Sequence, residues 1–469
     1  MESLEKNHKK PTLAYAVISL VTIVSLMAIG LVVFKANIQS LMLLAWVVMG
    51  LFAMRLGWSF EELEGAAFRM IHQALQATIL MAAVGVLIAA WISAGTVPTI
   101  IYAGLKVISP KFFLLTTTVI CAITSTATGS SWTTMGTVGL AMLGVGMGLG
   151  IPVGLTAGAI ISGAYFGDKM SPLSDSTLLA AAVCKVPIFT HIRHMIYTTG
   201  PAMLIACALY TFLGFKYAGN AFNQTDVNAI LSGFSSLFKI SWITILPAFV
   251  VLFMIYKKYS AVFSILLGAI AGMVIAVLYQ GADLQTVLAA VWSGFEPDTS
   301  DELMISFLKR GGISSMMSTI ALMLFALGLG GMMRETGILH VILEHLAKGI
   351  KSVPRLVLST MLTSYFGSAI SGSMHFSAVI TGTLFEELYE KFNLKAENLS
   401  RIIEDCGTLG AALIPWSTNA VFIMGMLDVS YLQYLPYAFL NWIDPIISLI
   451  LGVTGIAMTK IVAQEKKIV

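Results

Sequence analysis

Gly167-Asp168-Lys169-Met170-Ser171-Pro172-Leu173-Ser174-Asp175-Ser176 interrupts a long apolar stretch, and 243 residues later Gly410-Ala411-Ala412-Leu413-Ile414-Pro415-Trp416-Ser417-Thr418-Asn419 interrupts another. Glycine, proline and serine stand in register in the two copies. The same offset carries Gly129-Ser130 onto Gly372-Ser373 and Gly139 onto Gly382. Identity between the copies is low, so what recurs is the placement of helix breakers. In an apolar chain, backbone interrupted at corresponding positions of two halves points to the binding site of a secondary transporter.

The composition sets the environment. Of 469 residues, 57% are hydrophobic and 11% charged, with a mean hydropathy of +0.88. A soluble domain carries about 25% charged residues, so the chain reads as a polytopic membrane protein whose constant partner is the lipid bilayer. The net charge of +3 is spread over loops and predicts neither nucleic acid nor an acidic partner. Cys121, Cys184, Cys207 and Cys406 lie in apolar stretches without metal-ligand spacing and read as reduced packing residues. The first apolar run is longer than a signal-peptide core and lacks a clear cleavage site, so it reads as a retained helix.

Runs long enough to cross the hydrocarbon occur near 12–34, 38–56, 70–94, 194–215, 239–256, 260–280, 313–333 and 433–459. Two more, 153–184 and 398–428, are broken by the Gly/Pro motifs. Segments 112–148 and 356–392 each read as two short helices joined at a Ser/Thr/Gly tip, which suits a re-entrant hairpin. Placing the N-terminus in the cytoplasm puts 19 Lys/Arg inside and 7 outside, with Lys169 in the membrane. Each half then has five crossings and a hairpin, and an odd number reverses the second half. The expected fold is an all-α polytopic membrane protein: an inverted repeat of five transmembrane helices plus one re-entrant hairpin each, with two broken helices. Its expected divisions are a cytoplasmic N-terminus (1–11), a first repeat (12–215), an external connection (216–238), a second repeat (239–462) and a cytoplasmic C-terminus (463–469). The acidic stretches 57–72 and 281–302 read as solvated faces of an interfacial helix and an outer connection.

Asp168, Ser171 and Asp175 are spaced i, i+3, i+7 and would share one face of a continuous helix. Pro172 cannot donate to the carbonyl of Asp168, nor Pro415 to that of Ala411. Carboxylates, the hydroxyls of Ser171, Ser174 and Ser176 and a released carbonyl form a hard-oxygen set suited to Na+. Ala411, Ser417, Thr418 and Asn419 offer the second break's contribution, mainly backbone and hydroxyl groups. Burial favours the neutral carboxyl, whereas a bound cation favours the ionised one. A buried Asp168 or Asp175 could therefore hold protons or Na+ in competition, which with alternating access is sufficient for antiport. The bland reading is an ion pair between one of these aspartates and Lys169.

Other candidates carry weaker signals. Glu404 and Asp405 break the symmetry of the copies, with Glu404 expected near a solvated cytoplasmic mouth. His375 at the second tip reads as a substrate or proton contact, or as a packing histidine. Asp444-Pro445 is an acid at a kink outside the repeated core. The tips, Thr128, Gly129, Ser130 and Ser131 with Ser371, Gly372 and Ser373, open helices whose N-termini could receive a substrate carboxylate. Their alternative is close packing of small residues at a helix crossing.

The motif from Gly167 to Ser176 resembles the NhaC family of Na+/H+ antiporters, as do Trp91-Ile92-Ser93-Ala94-Gly95-Thr96-Val97-Pro98 and Arg310-Gly311-Gly312-Ile313-Ser314-Ser315. The likeness extends over nearly the whole chain. It implies a bacterial inner-membrane protein that exports Na+ in exchange for protons, is often a homodimer, and needs no cofactor beyond the transported ions. The family also holds exchangers of malate and lactate and relatives assigned to amino-acid exchange, so a small organic acid is an alternative cargo. The chain lacks the Ser-Asn-Thr tripeptide of dicarboxylate-transporting relatives at either tip. An intramembrane aspartyl protease is the competing class, and it fails on Tyr165, which stands where the first glycine of the Gly-x-Gly-Asp motif belongs.

Overall fold

In hydrocarbon each backbone polar group needs a partner within the protein, so the apolar stretches fold as helices and stop where glycine, proline or a capping serine intervenes. A computed structural model describes residues 8–73, 75–220, 224–257 and 259–461. The cytoplasmic placement of residues 1–7, of Lys258 and of 462–469 therefore lies outside the described residues.

The helices run α1 (Leu13–Val32), α2 (Ile38–Arg55), α3 (Phe60–Gln73), α4 (Leu75–Ser93), α5 (Thr96–Val107), α6 (Phe113–Thr128), α7 (Ser131–Thr134) and, after a π-helical turn at Met135–Gly139, α8 (Leu140–Gly148). Then come α9 (Val153–Met170), α10 (Asp175–Val183), α11 (Ile188–Asn220), α12 (Gln224–Leu237), α13 (Leu246–Tyr256), α14 (Ala261–Ile275), α15 (Leu284–Ser293), α16 (Glu302–Leu308) and α17 (Ile313–Glu335). The chain continues through α18 (Ile338–Ala347), α19 (Val353–Ser371), α20 (Met374–Lys391), α21 (Ala396–Ile402), a π-helical segment at Ile403–Thr408, α22 (Leu409–Ala411), α23 (Thr418–Leu427), α24 (Tyr431–Tyr434) and α25 (Phe439–Thr454).

Apolar residues face outward on α11 and around α14, where Leu204 and Leu278 are 74% and 80% exposed. Polar residues gather inside, on α6, α9, α19 and the segment 403–408. That inversion is what lipid imposes. Hydroxyls stitch the polar centre together. Ser125 Oγ donates to the Ala164 carbonyl at 2.6 Å between α6 and α9, and Ser377 Oγ to the Ser364 carbonyl at 2.5 Å between α20 and α19.

Among the described residues, five single helices are long and apolar enough to cross a membrane, and up to eight spans result if bent pairs count as one. One of the five is Pro110–Thr128, an arm of an expected hairpin, so length alone does not separate a span from a re-entrant arm. The described part of the external connection, 216–238, is mostly helical, in the end of α11 and in α12. The stretch after Ser93 is also helical. Gly95, with φ +74°, ends α4, and α5 leaves at 69° to it.

Candidate functional site

Two tips and two breaks build the centre. α6 ends at Gly129 (φ +71°) and α19 at Gly372 (φ +68°), a backbone conformation that favours glycine. Ser130 and Ser373 then cap the next helices, each side chain accepting from the backbone N–H three residues on. At the breaks, Ser174 caps α10 and Ser417 caps α23 in the same way. Tip and break meet in both places. A Cβ on Gly129 would stand 2.8 Å from the Leu173 backbone, and Thr418 N–H donates to the Gly372 carbonyl at 2.9 Å.

Asp168 sits in the last turn of α9 and is 3% exposed. Ser174 Oγ donates to its Oδ1 at 2.6 Å and Ser131 Oγ to its Oδ2 at 2.5 Å, with the Ser131 backbone N–H beside it. Hydroxyl and carboxylate oxygens thus converge where the first tip meets the first break. Ser176 Oγ adds a third hydroxyl, 3.1 Å from Ser174 Oγ.

This geometry corrects the shared-face expectation. The helix ends at Met170, and Ser171 is extended, its hydroxyl accepting from Leu173 N–H instead of facing Asp168. The chain folds back across Pro172, which brings Ser174 rather than Ser171 onto the carboxylate. The released carbonyls are likewise recaptured. That of Asp168 accepts from Ser171 N–H and Thr177 Oγ1, both at 3.3 Å, and that of Ala411 accepts from Ser417 Oγ and Ile414 N–H. A buried carbonyl is not left without a donor.

Asp175 stands apart. Its side chain is 73% exposed, not buried, because it follows the break on the outer side of α10's first turn; Oδ2 lies 3.1 Å from His375 Nε2. The first tip is not open to a substrate carboxylate, since Asp168 itself fills the α7 N-terminus. The hydroxyls of Thr128, Ser371 and Ser373 bond to local backbone. Asn419, 1% exposed, donates from Nδ2 to Tyr165 OH at 2.8 Å, one turn before Asp168, and Thr418 Oγ1 donates to Asn419 Oδ1. Residues 411 and 417–419 therefore tie the second break to the second tip and α9 rather than enclosing Asp168.

Lys169 makes the ion pair expected of it, with different partners. Its ammonium bonds Asp405 Oδ1 and, at 2.7 Å, Asp444 Oδ2, and all three side chains are fully buried. Arg401, also fully buried, holds Nε 3.9 Å from Asp405 Oδ2. Adjacent helical residues point about 100° apart, so Lys169 faces α25 and the segment 403–408 while Asp168 faces the tip. Glu404 is not at a wet mouth: it is 1% exposed, and its Oε2 has no hydrogen-bond partner among the described residues. A π-helical segment carries it inward, a feature frequent at functional sites. The role of Asp444 escaped the sequence because its partner, Lys169, lies 275 positions away in the chain.

Cavities lie at opposite ends of α17. One of about 650 Å³ is bordered by Arg334, His340, His375 and Val379. The other, about 300 Å³, is bordered by Ile88, Arg310, Thr319, Met424 and Asp428, with Arg310 Nη2 3.9 Å from Asp428 Oδ2. Across the centre, Trp132 stacks on Phe422 at 4.1 Å between ring centroids, whereas the residue 243 positions on from Trp132 is His375, which reaches Asp175.

Residues 163–456 match the description of the Na+/H+ antiporter family. The chain is 38% identical to the malate-2H+/Na+-lactate antiporter of Bacillus subtilis, over 96% of each. It is 34% identical to the Na+/H+ antiporter NhaC of Alkalihalophilus pseudofirmus, over 96% of this chain and 98% of that one. It is also 35% identical to the arginine/ornithine antiporter ArcD of Halobacterium salinarum, over 95% and 93%.

Proposed function

The chain belongs to the Na+/H+ antiporter family, and on that premise we propose that it exports Na+ in exchange for protons, with Asp168 as the group at which the two ions compete. The observation that carries this reading is the Asp168 carboxylate buried between the hydroxyls of Ser131 and Ser174. A buried charge needs a compensating partner. When Asp168 is protonated it needs none, and the hydroxyls bond to it. When it is ionised, Na+ compensates it, and the same hydroxyls turn their lone pairs toward the cation. Ser176 lies within reach as a further oxygen. Proton and Na+ are cargo, and no resident cofactor enters.

Asp175 and His375, exposed beside the break, pass ions between water and Asp168. Lys169, held by Asp405 and Asp444, clamps α9 so that Asp168 stays aimed at the tip. Glu404, buried with no hydrogen-bond partner for Oε2 among the described residues, carries a second proton. The cavities at the two ends of α17 serve as entrances used in turn. The repeats are inverted, both termini face the cytoplasm of a bacterial cell, and the protein assembles as a homodimer.

Competition at one carboxyl has a kinetic signature. In proteoliposomes, lowering the pH raises the Na+ concentration for half-maximal exchange and leaves the maximal rate unchanged. A falling maximal rate at constant half-saturation contradicts a shared site.

A further inference from the structure

The charges buried around Lys169 do not balance. Among the described residues, Lys169 and Arg401 supply two cations and Glu404, Asp405 and Asp444 three carboxyls, and all five side chains are buried. Asp168 lies on the other side of α9, at the cation site. A buried carboxylate without a countercharge is costly, so one of the three holds a proton, and that proton needs a way in.

A polar seam runs from this cluster to the surface. His191, His194 and Thr198 are spaced i, i+3, i+7 on one face of α11, and all three are buried. Facing them, Ser400 Oγ lies 2.8 Å from His191 Nδ1, and Thr198 Oγ1 donates at 3.1 Å to Asp405 Oδ1, the oxygen that also holds Lys169. At the outer end, residues 457–461 close the seam. Half-buried Thr459 places Oγ1 2.9 Å from His194 Nε2, and the Ala457 carbonyl accepts from Arg401 Nη1 at 3.0 Å. Buried polar atoms nearly always find partners, yet His191 Nε2 and His194 Nδ1 have no hydrogen-bond partner among the described residues. Each ring is tied by one nitrogen and free at the other, a form suited to taking up a proton on one side and releasing one on the other. No residue of the seam lines either cavity at the ends of α17.

We propose that this seam carries the second proton, the one assigned above to Glu404, between the surface at Thr459 and the Lys169 cluster, on a path apart from the one Na+ takes. His194 takes up the proton beside Thr459, the two rings pass it inward, Asp405 receives it, and Glu404, the neighbouring carboxyl, keeps it. Only N–H and O–H bonds form and break, and one proton leaves each group as another arrives. With all three carboxyls ionised, the cluster has one negative charge in excess of its two cations, which draws the proton inward. Chains of Asp, Glu and His inside a membrane are the usual material of such relays. The route rests on the antiport reading above.

The test compares two modes of the purified full-length protein in proteoliposomes: uptake of radiolabelled Na+ driven by an acidic interior, and exchange of labelled for unlabelled Na+ at equal pH, which moves no net proton. His191→Gln and His194→Gln are each expected to lower the maximal rate of proton-driven uptake by at least about tenfold. The Na+ concentration for half-maximal uptake and the rate of Na+/Na+ exchange are expected to stay at wild-type values, and D2O to slow the variants more than the wild type. Thr198→Val, which keeps the shape and removes the hydroxyl, is expected to act in the same direction and carries the test if a histidine variant does not fold, as judged by its thermal unfolding midpoint. Proton-driven uptake at the wild-type rate in these variants overturns the seam and leaves antiport standing. A parallel loss of both modes in folded variants also overturns it, because a residue that only packs α11 against α21 would impair both. A wild-type protein that exchanges Na+ for Na+ yet takes up none against protons removes antiport itself, and the route with it.

Discussion

Asp168 and Lys169 are neighbours in sequence and face different partners, because a helix turns about 100° between them. One meets hydroxyls at a tip, the other two buried aspartates. Removing one member of a buried ion pair costs about 3–5 kcal/mol, since the other charge is left uncompensated. Lys169→Met is therefore expected to lower the thermal unfolding midpoint sharply, and the triple change with Asp405→Asn and Asp444→Asn to recover much of the loss. Ser131→Ala and Ser174→Ala act on the other side of the helix. Each removes one oxygen from the carboxylate, about 1 kcal/mol, and is expected to raise the Na+ concentration for half-maximal exchange roughly fivefold. Asp168 was legible in the sequence as an acid in an apolar stretch beside a proline. Ser131 was legible only as a tip residue, because the contact spans 37 positions that no local pattern joins.

At the scale of elements, Pro172 and Pro415 marked both breaks, and Gly129 and Gly372 both tips. The course of the chain between them was not legible. Periodicity assumes a continuous helix, yet the chain leaves the helix at Ser171 and returns at Ser174, so of the expected hydroxyls Ser174 reaches the Asp168 carboxylate and Ser171 does not. The π-helical segment at 403–408 had no sequence mark, and Glu404 was misplaced for that reason. The two tips also differ in what surrounds them. Alanine at either position incurs the cost of positive φ, about 1–2 kcal/mol. At Gly129 its Cβ would also strike the Leu173 backbone at 2.8 Å, whereas at Gly372 the nearest atoms are 3.8 Å away. Gly129→Ala is expected to abolish exchange and Gly372→Ala to leave a measurable rate, with both proteins assayed at equal abundance in the membrane.

For the whole molecule, composition alone showed a membrane protein, and the inward gathering of hydroxyls with an apolar exterior follows from the same physics. The cavities at the ends of α17 were not legible, because they are shaped by helices distant in sequence. If they are entrances used in turn, single cysteines at Thr383, which lines the larger cavity, and at Thr319, which lines the smaller, are expected to respond oppositely to Na+ when labelled with a membrane-impermeant thiol reagent. Parallel responses contradict alternation. The account as a whole turns on Asp168, and the most direct measurement is proton movement on a Na+ pulse in everted vesicles without any organic acid. Wild-type protein is expected to move protons at once and Asp168→Asn, present at equal abundance, to move none; exchange at the wild-type rate in Asp168→Asn would contradict the account.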